Sequence, residues 1–300
     1  MHAHSDHAHH EHADPASTRL GIVFWLNLSF ALIEIAGGLL LNSMAILADA
    51  LHDFGDCLAL GLAWYFQKLS GKKRDRLFSY GYKRFSLLAA VINGLILVGG
   101  SLLILRETVP RLWSEPTALN TPGIVGLAIL GLSVNGFAVW RLRGGHSANE
   151  KVILLHLLED VLGWAAVLGG GGLMYLTHWY WLDPLLAILI AFWISSNALR
   201  SLFHNLGILL QMIPSSVDLD ELRAALLELP DIFSVHDLHS WSLDGEYNVL
   251  TLHVVQAQTL SPSESLQLKQ KIRALARTHG IEHLTLEFET QNEACELEDC

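Results

Sequence analysis

Two segments of the sequence repeat the same pair of potential metal ligands at the same spacing. His52 and Asp56 form one His-x-x-x-Asp pattern, and the second pattern consists of His156 and Asp160. On a helix, residues four positions apart lie on one face, with Cβ atoms about 5–6 Å apart. Two such helices facing each other would present two imidazoles and two carboxylates to one point.

This ligand set favours a divalent transition metal, and zinc in particular. Zn²⁺ prefers four ligands in a tetrahedron and accepts imidazole nitrogen and carboxylate oxygen. Two carboxylates also cancel the two charges of the ion in a medium of low dielectric constant. Mg²⁺ and Ca²⁺ favour sites made of oxygen alone, whereas Cd²⁺, Co²⁺, Fe²⁺ and Cu²⁺ stay open because affinity order rarely sets selectivity. For each pair taken alone, a structural hydrogen bond between helices is the alternative.

Imidazole also links metal binding to protons. It binds metal only when it is neutral, and the pKa of unperturbed imidazole is about 6.5. Metal and protons therefore compete for His52 and His156. Together with alternating access, this competition predicts an antiporter that exchanges metal for protons.

Both pairs lie inside long apolar segments. The sequence is 51% hydrophobic and 16% charged, whereas soluble domains have about 25% charged residues. A helix needs about 20 mostly apolar residues to cross a bilayer. Six segments meet this length: 20–41, 44–66, 85–105, 121–140, 152–176 and 180–203. We therefore predict a polytopic α-helical membrane protein with six transmembrane helices, and the His/Asp pairs lie in the second and the fifth.

The presence of other ionisable residues in these spans also needs an explanation, because burying a charge inside the bilayer costs free energy. Asp49 and Asp53 accompany the pair in the second span. We interpret them as residues that surround the ligands, line an access path or pack helices together. Glu34 in the first span either lines a hydrated path or bridges helices, and Glu159 is a neighbour on the polar face of the fifth.

Lysine and arginine residues predict the orientation of the spans. The loop between the second and third spans contains seven of them: Lys68, Lys72, Lys73, Arg74, Arg76, Lys83 and Arg84. The loop between the fourth and fifth spans adds Arg141, Arg143 and Lys151. Since the number of spans is even, this bias predicts that both termini are cytoplasmic.

The C-terminal part has the pattern of a small α+β domain. Two helices and three strands are predicted at 218–229, 234–243, 247–257, 262–278 and 281–289. Residues 214–300 contain 16 acidic and 5 basic residues, so their net charge of −11 equals that of the whole chain. This acidity excludes nucleic acid, which selects basic surfaces, and it suits a cation.

Four histidines and one acidic residue fall on the three predicted strands: His236, His239, His253, His283 and Glu289. A single histidine on a strand is more often a core residue than a ligand, but this set predicts a second metal site. Such a site would hold subunits of a dimer together or report cytosolic metal. Structural polar residues on the strands are the alternative.

The sequence predicts four regions. A flexible His-rich cytoplasmic tail (1–18) precedes the transmembrane domain (19–209), a cytoplasmic α+β domain for metal binding and dimerisation (210–290), and an acidic tail with cysteines (291–300). The first tail contains His2, His4, His7, His9, His10 and His12. Each tail either captures metal weakly or has no role. The three cysteines, Cys57, Cys295 and Cys300, form no disulfide framework, which indicates a reducing compartment for the soluble part.

In combination these motifs resemble the cation diffusion facilitator family, in its bacterial zinc-exporter form. The resemblance covers about residues 18–290. It rests on LADALHDFGD at 47–56, YGYKR at 80–84, HLLED at 156–160, VHDLHSWSL at 235–243 and LHV at 252–254.

The resemblance implies a zinc/proton antiporter of the inner (plasma) membrane that works as a homodimer. The transport site of the family falls on His52, Asp56, His156 and Asp160. The soluble domain would have a ferredoxin-like fold and bind Zn²⁺, as a structural or regulatory ligand, through four residues: His236, His253, His283 and Glu289. One departure is a loop after the second span that contains no histidine, and another is a loop before the fifth that contains only His146.

Two functions from other classes compete with transport. An intramembrane metalloenzyme would need an open metal position, a general base and an activated water. A site with four protein ligands leaves no such position, and the sequence contains no His-Glu-x-x-His motif, so we expect no enzyme activity. The second competing function is a membrane metal sensor, which binds metal without transporting it.

Overall fold

The computed structural model describes residues 15–114, 119–142, 148–293 and 295. The N-terminal histidines, Arg143, His146 and Cys300 lie outside these residues, so the expectations attached to them stay predictions.

Six long helices form the N-terminal two thirds of the described chain. They are α1 (Pro15–Leu41), α2 (Met44–Ser70), α3 (Phe85–Thr108), α4 (Thr121–Leu142), α5 (Ala148–Thr177) and α6 (Leu182–Leu209). A short 3-10 helix, Val109–Leu112, follows α3. Their lengths of 22 to 30 residues correspond to about 33–45 Å, which exceeds the bilayer core of about 30 Å. Each of the six predicted spans lies almost entirely within one of these helices, and the six-helix prediction is confirmed.

Four of these helices contain a stretch long and apolar enough to cross a membrane by composition alone: Phe85–Leu112, Thr121–Trp140, Leu157–Thr177 and Leu182–Leu209. In α1, the apolar stretch with described side chains is shorter, Asn27–Leu41. In α2, three carboxylates interrupt the apolar run, and these belong to Asp49, Asp53 and Asp56. The helix that departs most from an ordinary span is therefore α2, which carries the predicted ligands His52 and Asp56.

The chain divides into two compact units, and the first consists of Met1–Gly61 and Asn93–Leu199. Its core forms where α4 packs against α5 and α1 packs against α4. Trp164 of α5 is fully buried there and meets Phe30 edge-on, with ring centroids 5.7 Å apart. The indole lies directly against Gly131 of α4. It fills the space that a side chain at that position would need. Small residues allow such close helix contacts in membranes.

A substitution at Gly131 should therefore destabilise the first unit. Gly131→Ala is expected to lower the free energy of unfolding by about 1–3 kcal/mol, because the new methyl group overlaps a rigid, buried indole. Thermal unfolding of the detergent-solubilised protein measures the effect. Gly136→Ala is the matched control, since nothing lies within 4 Å of a Cβ at Gly136 of the same helix. Equal unfolding temperatures for the two variants would contradict the packing.

A buried carboxylate fixes the beginning of α2. Asp183, at the start of α6, accepts hydrogen bonds from the Met44 backbone N–H at 2.7 Å and from the hydroxyl of Ser43. The first N–H groups of a helix have no partner within the helix, and a carboxylate placed there also interacts favourably with the helix dipole. This contact holds α2, which carries His52 and Asp56, against α6.

The second unit, Leu62–Ile92 and Arg200–Cys300, contains the α+β domain. A three-stranded sheet has the order β1 (Ile232–Ser242), β2 (Asn248–Gln256), β3 (His283–Glu289), in which β2 is antiparallel to β1 and parallel to β3. Helices α7 (Leu219–Leu227) and α8 (Pro262–Thr278) pack against each other. Their buried leucines share one core with Leu250, Leu252 and Val254 of β2. The α-β-β-α-β order confirms the predicted α+β, ferredoxin-like domain.

Local signals fixed the helix ends of this domain. Ser261 caps α8 in a capping box with Glu264, and Gly280 follows the helix with φ +76°. Asp218 caps α7, because its carboxylate accepts hydrogen bonds from the backbone N–H groups of Asp220 and Glu221. The predicted helix after Asp218 is two residues too long, because α7 ends at Leu227.

The loop between α2 and α3 contacts the β1–β2 hairpin within the second unit. Lys83 Nζ lies 3.1 Å from the Asp244 carboxylate and 4.5 Å from the centre of the Tyr247 ring. Partial burial opposes ionisation of Asp244, but the N–H groups of Tyr247 and Glu246 and the charge of Lys83 outweigh it and hold the pKa of Asp244 below its usual value. The ionised form of Asp244 therefore stabilises this contact.

We expect Asp244→Asn to lower the free energy of unfolding by up to about 1 kcal/mol, the usual range for a partly exposed ion pair. Because the folded pKa is lowered, the contribution is present above the unfolded pKa of about 3.9 and is lost as pH falls through the folded value. Thermal unfolding of wild type and variant should therefore converge at acidic pH. Glu246→Gln, at the exposed neighbour, is the control that should show no difference at either pH.

Candidate metal centres

The first candidate centre begins with the pair on α2. His52 Nδ1 lies 3.5 Å from Asp56 Oδ2, and both side chains are about three quarters buried. The i, i+4 spacing alone accounts for this geometry, because it places both groups on one face of the helix. The pair thus offers one nitrogen and one oxygen ligand from the same side of α2.

Helix α5 brings its own carboxylate to the same region. Asp160 is buried, and its charge interacts with those of Asp49 and Asp53 on α2. The two helices approach closely here, since a Cβ on Gly163 of α5 would lie 3.2 Å from Asp49 Oδ1. The glycine lies one turn after Asp160, and the aspartate one turn before His52. The approach therefore occurs at the level of the predicted ligands.

The remaining predicted ligand, His156, lies in α5 one turn before Asp160. Its side chain lies outside the described residues. Helical spacing places it on the same face as Asp160, but the complete four-ligand site stays a prediction. The structure places the buried Asp160 near Asp49 and Asp53, on the helix that carries the His52–Asp56 pair.

Further carboxylates surround this region. Glu34 of α1 is fully buried, and its charge interacts with those of Asp53, Asp49 and Asp160. Buried carboxylates near one another are costly unless cations or protons neutralise them. The cluster is therefore neutralised by a cation or by protons between α1, α2 and α5. Glu159, by contrast, is exposed, as expected for a neighbour on the polar face.

A second candidate centre lies in the sheet of the α+β domain. His253 Nδ1 is 2.6 Å from Glu289 Oε1, and His236 Nε2 is 3.3 Å from Glu289 Oε2. Cys295 Sγ lies 3.5 Å from His253 Nδ1. One ligand atom from each of these four residues lies within 4.8 Å of all the others. Both His253 and Glu289 are buried, so the cluster is a preformed set of nitrogen, oxygen and sulfur ligands.

His236 lies directly opposite His253 across the β1–β2 pair, just before an irregularity in β1. The register of β1 against β2 shifts between His236 and His239, where Asp237 adopts a positive φ of +48°. Such a bulge bends a strand and changes the direction of its side chains. Because they are cross-strand partners, the rings of His236 and His253 lie 5.2 Å apart between centroids, whereas His239 follows the register shift. His239 instead contacts Asp237 at 2.6 Å and stays outside the cluster.

The structure does not bring His283 into this cluster. His283 begins β3, pairs with Val249, and has its ring 5.6 Å from that of Tyr80. The sequence pattern placed His283 and Glu289 on the same face of β3, but six residues of strand separate them by about 20 Å. Cys295, which follows β3, occupies the place beside His253 instead. No periodic pattern in the sequence marks this return of the chain.

Comparison with known proteins decides the family. Residues 20–210 match the cation efflux transmembrane domain, and residues 214–291 match the cytoplasmic domain of cation efflux proteins. The chain belongs to the cation efflux family. The resemblance to cation diffusion facilitators is thereby confirmed, and so is the expectation that the protein is a transporter and not an enzyme.

Several bacterial relatives are similar over almost their whole length. The cadmium, cobalt and zinc/H⁺-K⁺ antiporter of Bacillus velezensis is 34% identical over 94% of this chain and 91% of its own. Metal cation efflux system protein CzcD of Cupriavidus metallidurans is 34% identical over 93% and 89%. Zinc transporter ZitB of Escherichia coli is 32% identical over 100% and 95%. This cation efflux protein is therefore a multi-pass membrane protein of a family of metal cation exporters.

Proposed function

We propose that the protein exports Zn²⁺ from the cytoplasm in exchange for protons. The observation that carries the proposal is the close approach of α2 and α5 at the level of the His52–Asp56 pair and the buried Asp160. Membership of the cation efflux family supports export of a metal cation. The names of the relatives from Bacillus velezensis and Escherichia coli include zinc, and that of the former also includes H⁺.

The transported ion would bind between α2 and α5. In this proposal His52 and Asp56 supply two ligands from α2, and His156 and Asp160 supply two from α5. Two carboxylates neutralise the dication, so the loaded site crosses the low-dielectric interior without net charge. The neighbouring carboxylates Asp49 and Asp53 raise the local concentration of cations on the way to the site.

Proton exchange follows from the chemistry of these ligands. An imidazole or a carboxylate that carries a proton cannot bind the ion. When the site faces the more acidic side, protons displace Zn²⁺, and when it faces the cytoplasm, Zn²⁺ displaces protons. Alternation between the two orientations then exports metal at the expense of the proton gradient.

Zinc is the preferred cargo because the donor set contains both imidazole and carboxylate in equal number. Four-coordinate Zn²⁺ accepts this combination. The N/O set also accommodates Cd²⁺, Co²⁺ or Fe²⁺, since selectivity among these ions depends on geometry as well as on affinity. These ions are therefore the alternative cargoes.

The proposal also specifies the orientation of the protein in the membrane. Both termini lie in the cytoplasm, and the protein is a homodimer in the inner (plasma) membrane. The Lys- and Arg-rich loops between α2 and α3 and between α4 and α5 support this orientation. The match of residues 214–291 to a cytoplasmic domain supports it further. The proposed regions remain 1–18, 19–209, 210–290 and 291–300.

We further propose that the cytoplasmic domain holds a resident Zn²⁺ through His236, His253 and Glu289. Their donor atoms fit the ion, since imidazole nitrogen and carboxylate oxygen are both zinc ligands. The Nε2 atom of His236 is buried and faces the Glu289 carboxylate at 3.3 Å, so a nitrogen and an oxygen ligand lie side by side. Bound there, the ion would stabilise the sheet and report cytosolic metal.

Flux through purified full-length protein in liposomes tests the transport proposal. With Zn²⁺ outside and an acidic lumen, we expect Zn²⁺ to enter while the lumen becomes more alkaline, and collapse of the pH gradient by a protonophore beforehand should stop Zn²⁺ entry. A K⁺ gradient in place of the pH gradient is the second arm, because the name of one relative includes K⁺. A zinc flux that does not change with the pH gradient would refute proton exchange. Absence of flux for Zn²⁺, Cd²⁺, Co²⁺ and Fe²⁺ alike would favour a metal sensor.

A further inference from the structure

The chain after β3 turns back onto the sheet. The Thr290 N–H donates to Glu293 Oε2 at 3.1 Å, and the Glu293 N–H donates to the Thr290 carbonyl at 3.0 Å. The side-chain amide of Gln291 donates to the carbonyl of Ala257, just beyond the end of β2, at 2.7 Å. These contacts anchor the turn beside β2 and carry Cys295 back to the strand that contains His253.

The thiol then lies within reach of a metal bound by the histidines. Cys295 Sγ is 3.5 Å from His253 Nδ1, and it belongs to the group of ligand atoms within 4.8 Å of one another. A thiolate and the Glu289 carboxylate together carry two negative charges, which balance those of a divalent ion. Three neutral imidazoles and one carboxylate, the set first expected from the sequence, would leave one charge uncompensated.

The surroundings of His253 also suit a metal ligand. Its Nδ1 faces Glu289 and Cys295, while its Nε2 lies 3.6 Å from Asp237 Oδ2 and 3.5 Å from Glu287 Oε2. A ligating histidine usually directs its other ring nitrogen to a carboxylate, which fixes the orientation of the ring. The two carboxylates at Nε2 therefore leave Nδ1 as the atom for the metal.

We propose that Cys295 is the fourth ligand of this cytoplasmic metal site, and that a divalent ion that prefers thiolate, Zn²⁺ in the first place, fastens segment 290–295 to the sheet. This inference deepens the proposed cytoplasmic zinc site and is independent of transport through the membrane. The ligand set of two nitrogens, one oxygen and one sulfur differs from the sulfur-free set proposed for transport. Cytosolic Zn²⁺ thereby controls how firmly the C-terminal segment is held.

Alkylation of the thiols with and without Zn²⁺ tests this ligand. At free zinc about 100 times the Kd, alkylation of Cys295 in the full-length protein should slow by about 100-fold, because only about one site in 100 remains empty. A metal-bound thiolate is unavailable to the reagent. Cys300, five residues further along the same tail, is the internal control, and mass spectrometry of the two cysteines separates them. No variant is required, so misfolding cannot obscure the result.

Co²⁺ gives an independent readout through its thiolate charge-transfer absorption. The band should form in wild type and Cys300→Ser and be lost in Cys295→Ser and His236→Ala. Equal alkylation of Cys295 with and without zinc, or a cobalt band that survives Cys295→Ser, overturns the inference. Liposome flux of the same preparations separates the two proposals: normal zinc export with an unprotected Cys295 rejects the ligand alone, and a protected Cys295 without export rejects transport alone.

Discussion

Replacing Asp160 with Asn is expected to lower zinc export by more than about 100-fold. Asp160 is the candidate ligand on α5 whose side chain the structure describes, and it is buried near Asp49 and Asp53 of α2. Loss of a residue that only orients a ligand already costs about 10–100-fold in metal affinity or activity, and loss of a ligand with its charge should cost more. Initial rates of zinc uptake into liposomes give the measurement.

The matched control for this experiment is the preceding residue. Glu159 is exposed on the same helix, so Glu159→Gln removes an equal charge without touching the proposed site. We expect it to keep wild-type flux. Normal flux through Asp160→Asn, or equal loss through both variants, would show that the site does not depend on the buried carboxylate.

Gly163→Val is expected to reduce zinc export at least about tenfold without removing any ligand. A Cβ at Gly163 would lie 3.2 Å from Asp49 Oδ1, and the larger valine side chain must displace the Asp49 carboxylate or push α5 away from α2. Displacements of about 1 Å at a site that depends on geometry cost up to about 100-fold. Export should fall in the liposome assay while protection of Cys295 by zinc stays unchanged, because that thiol belongs to the other unit of the chain.

Gly169→Val tests whether the effect is local. Gly169 lies on α5 as well, but nothing lies within 4 Å of a Cβ at that position. We therefore expect wild-type export from this variant. If Gly163→Val exports zinc normally, the close approach of α2 and α5 is irrelevant to the site.

Much of the fold was predictable because its signals are local. Apolar length predicts a membrane span wherever it occurs in a chain, and the positive φ of Asn42 (+55°) occurs where the break between the first two spans was predicted. In the α+β domain, Ser261 and Gly280 marked the two ends of α8 by the chemistry of helix caps. Strand alternation also predicts that Leu284, Leu286 and Phe288 share one face of β3, and all three pack against the core.

Contacts between distant segments could not be derived in this way. Asp183 accepts hydrogen bonds from the start of α2, about 140 positions earlier in the chain, and no pattern in either segment indicates this pairing. The approach of Gly163 to Asp49 is equally invisible, because a glycine in a span has many possible neighbours. Such contacts depend on the packing of whole helices.

The candidate sites show the same division between local and distant information. The His52–Asp56 contact follows from i, i+4 spacing and was predictable. His283 was expected at the cytoplasmic cluster because it shares a face of β3 with Glu289, but six residues of the same strand separate the two by about 20 Å. Cys295 reaches His253 only through the turn anchored by Gln291 on Ala257.

The central claim is that one transported ion binds between α2 and α5 to four side chains. An anomalous difference map of zinc-loaded crystals, recorded on both sides of the zinc absorption edge, tests it most directly. We predict a peak about 2.0–2.2 Å from one donor atom each of His52, Asp56, His156 and Asp160. A zinc peak elsewhere in the membrane domain, or these four side chains directed away from one another around no peak, would contradict it.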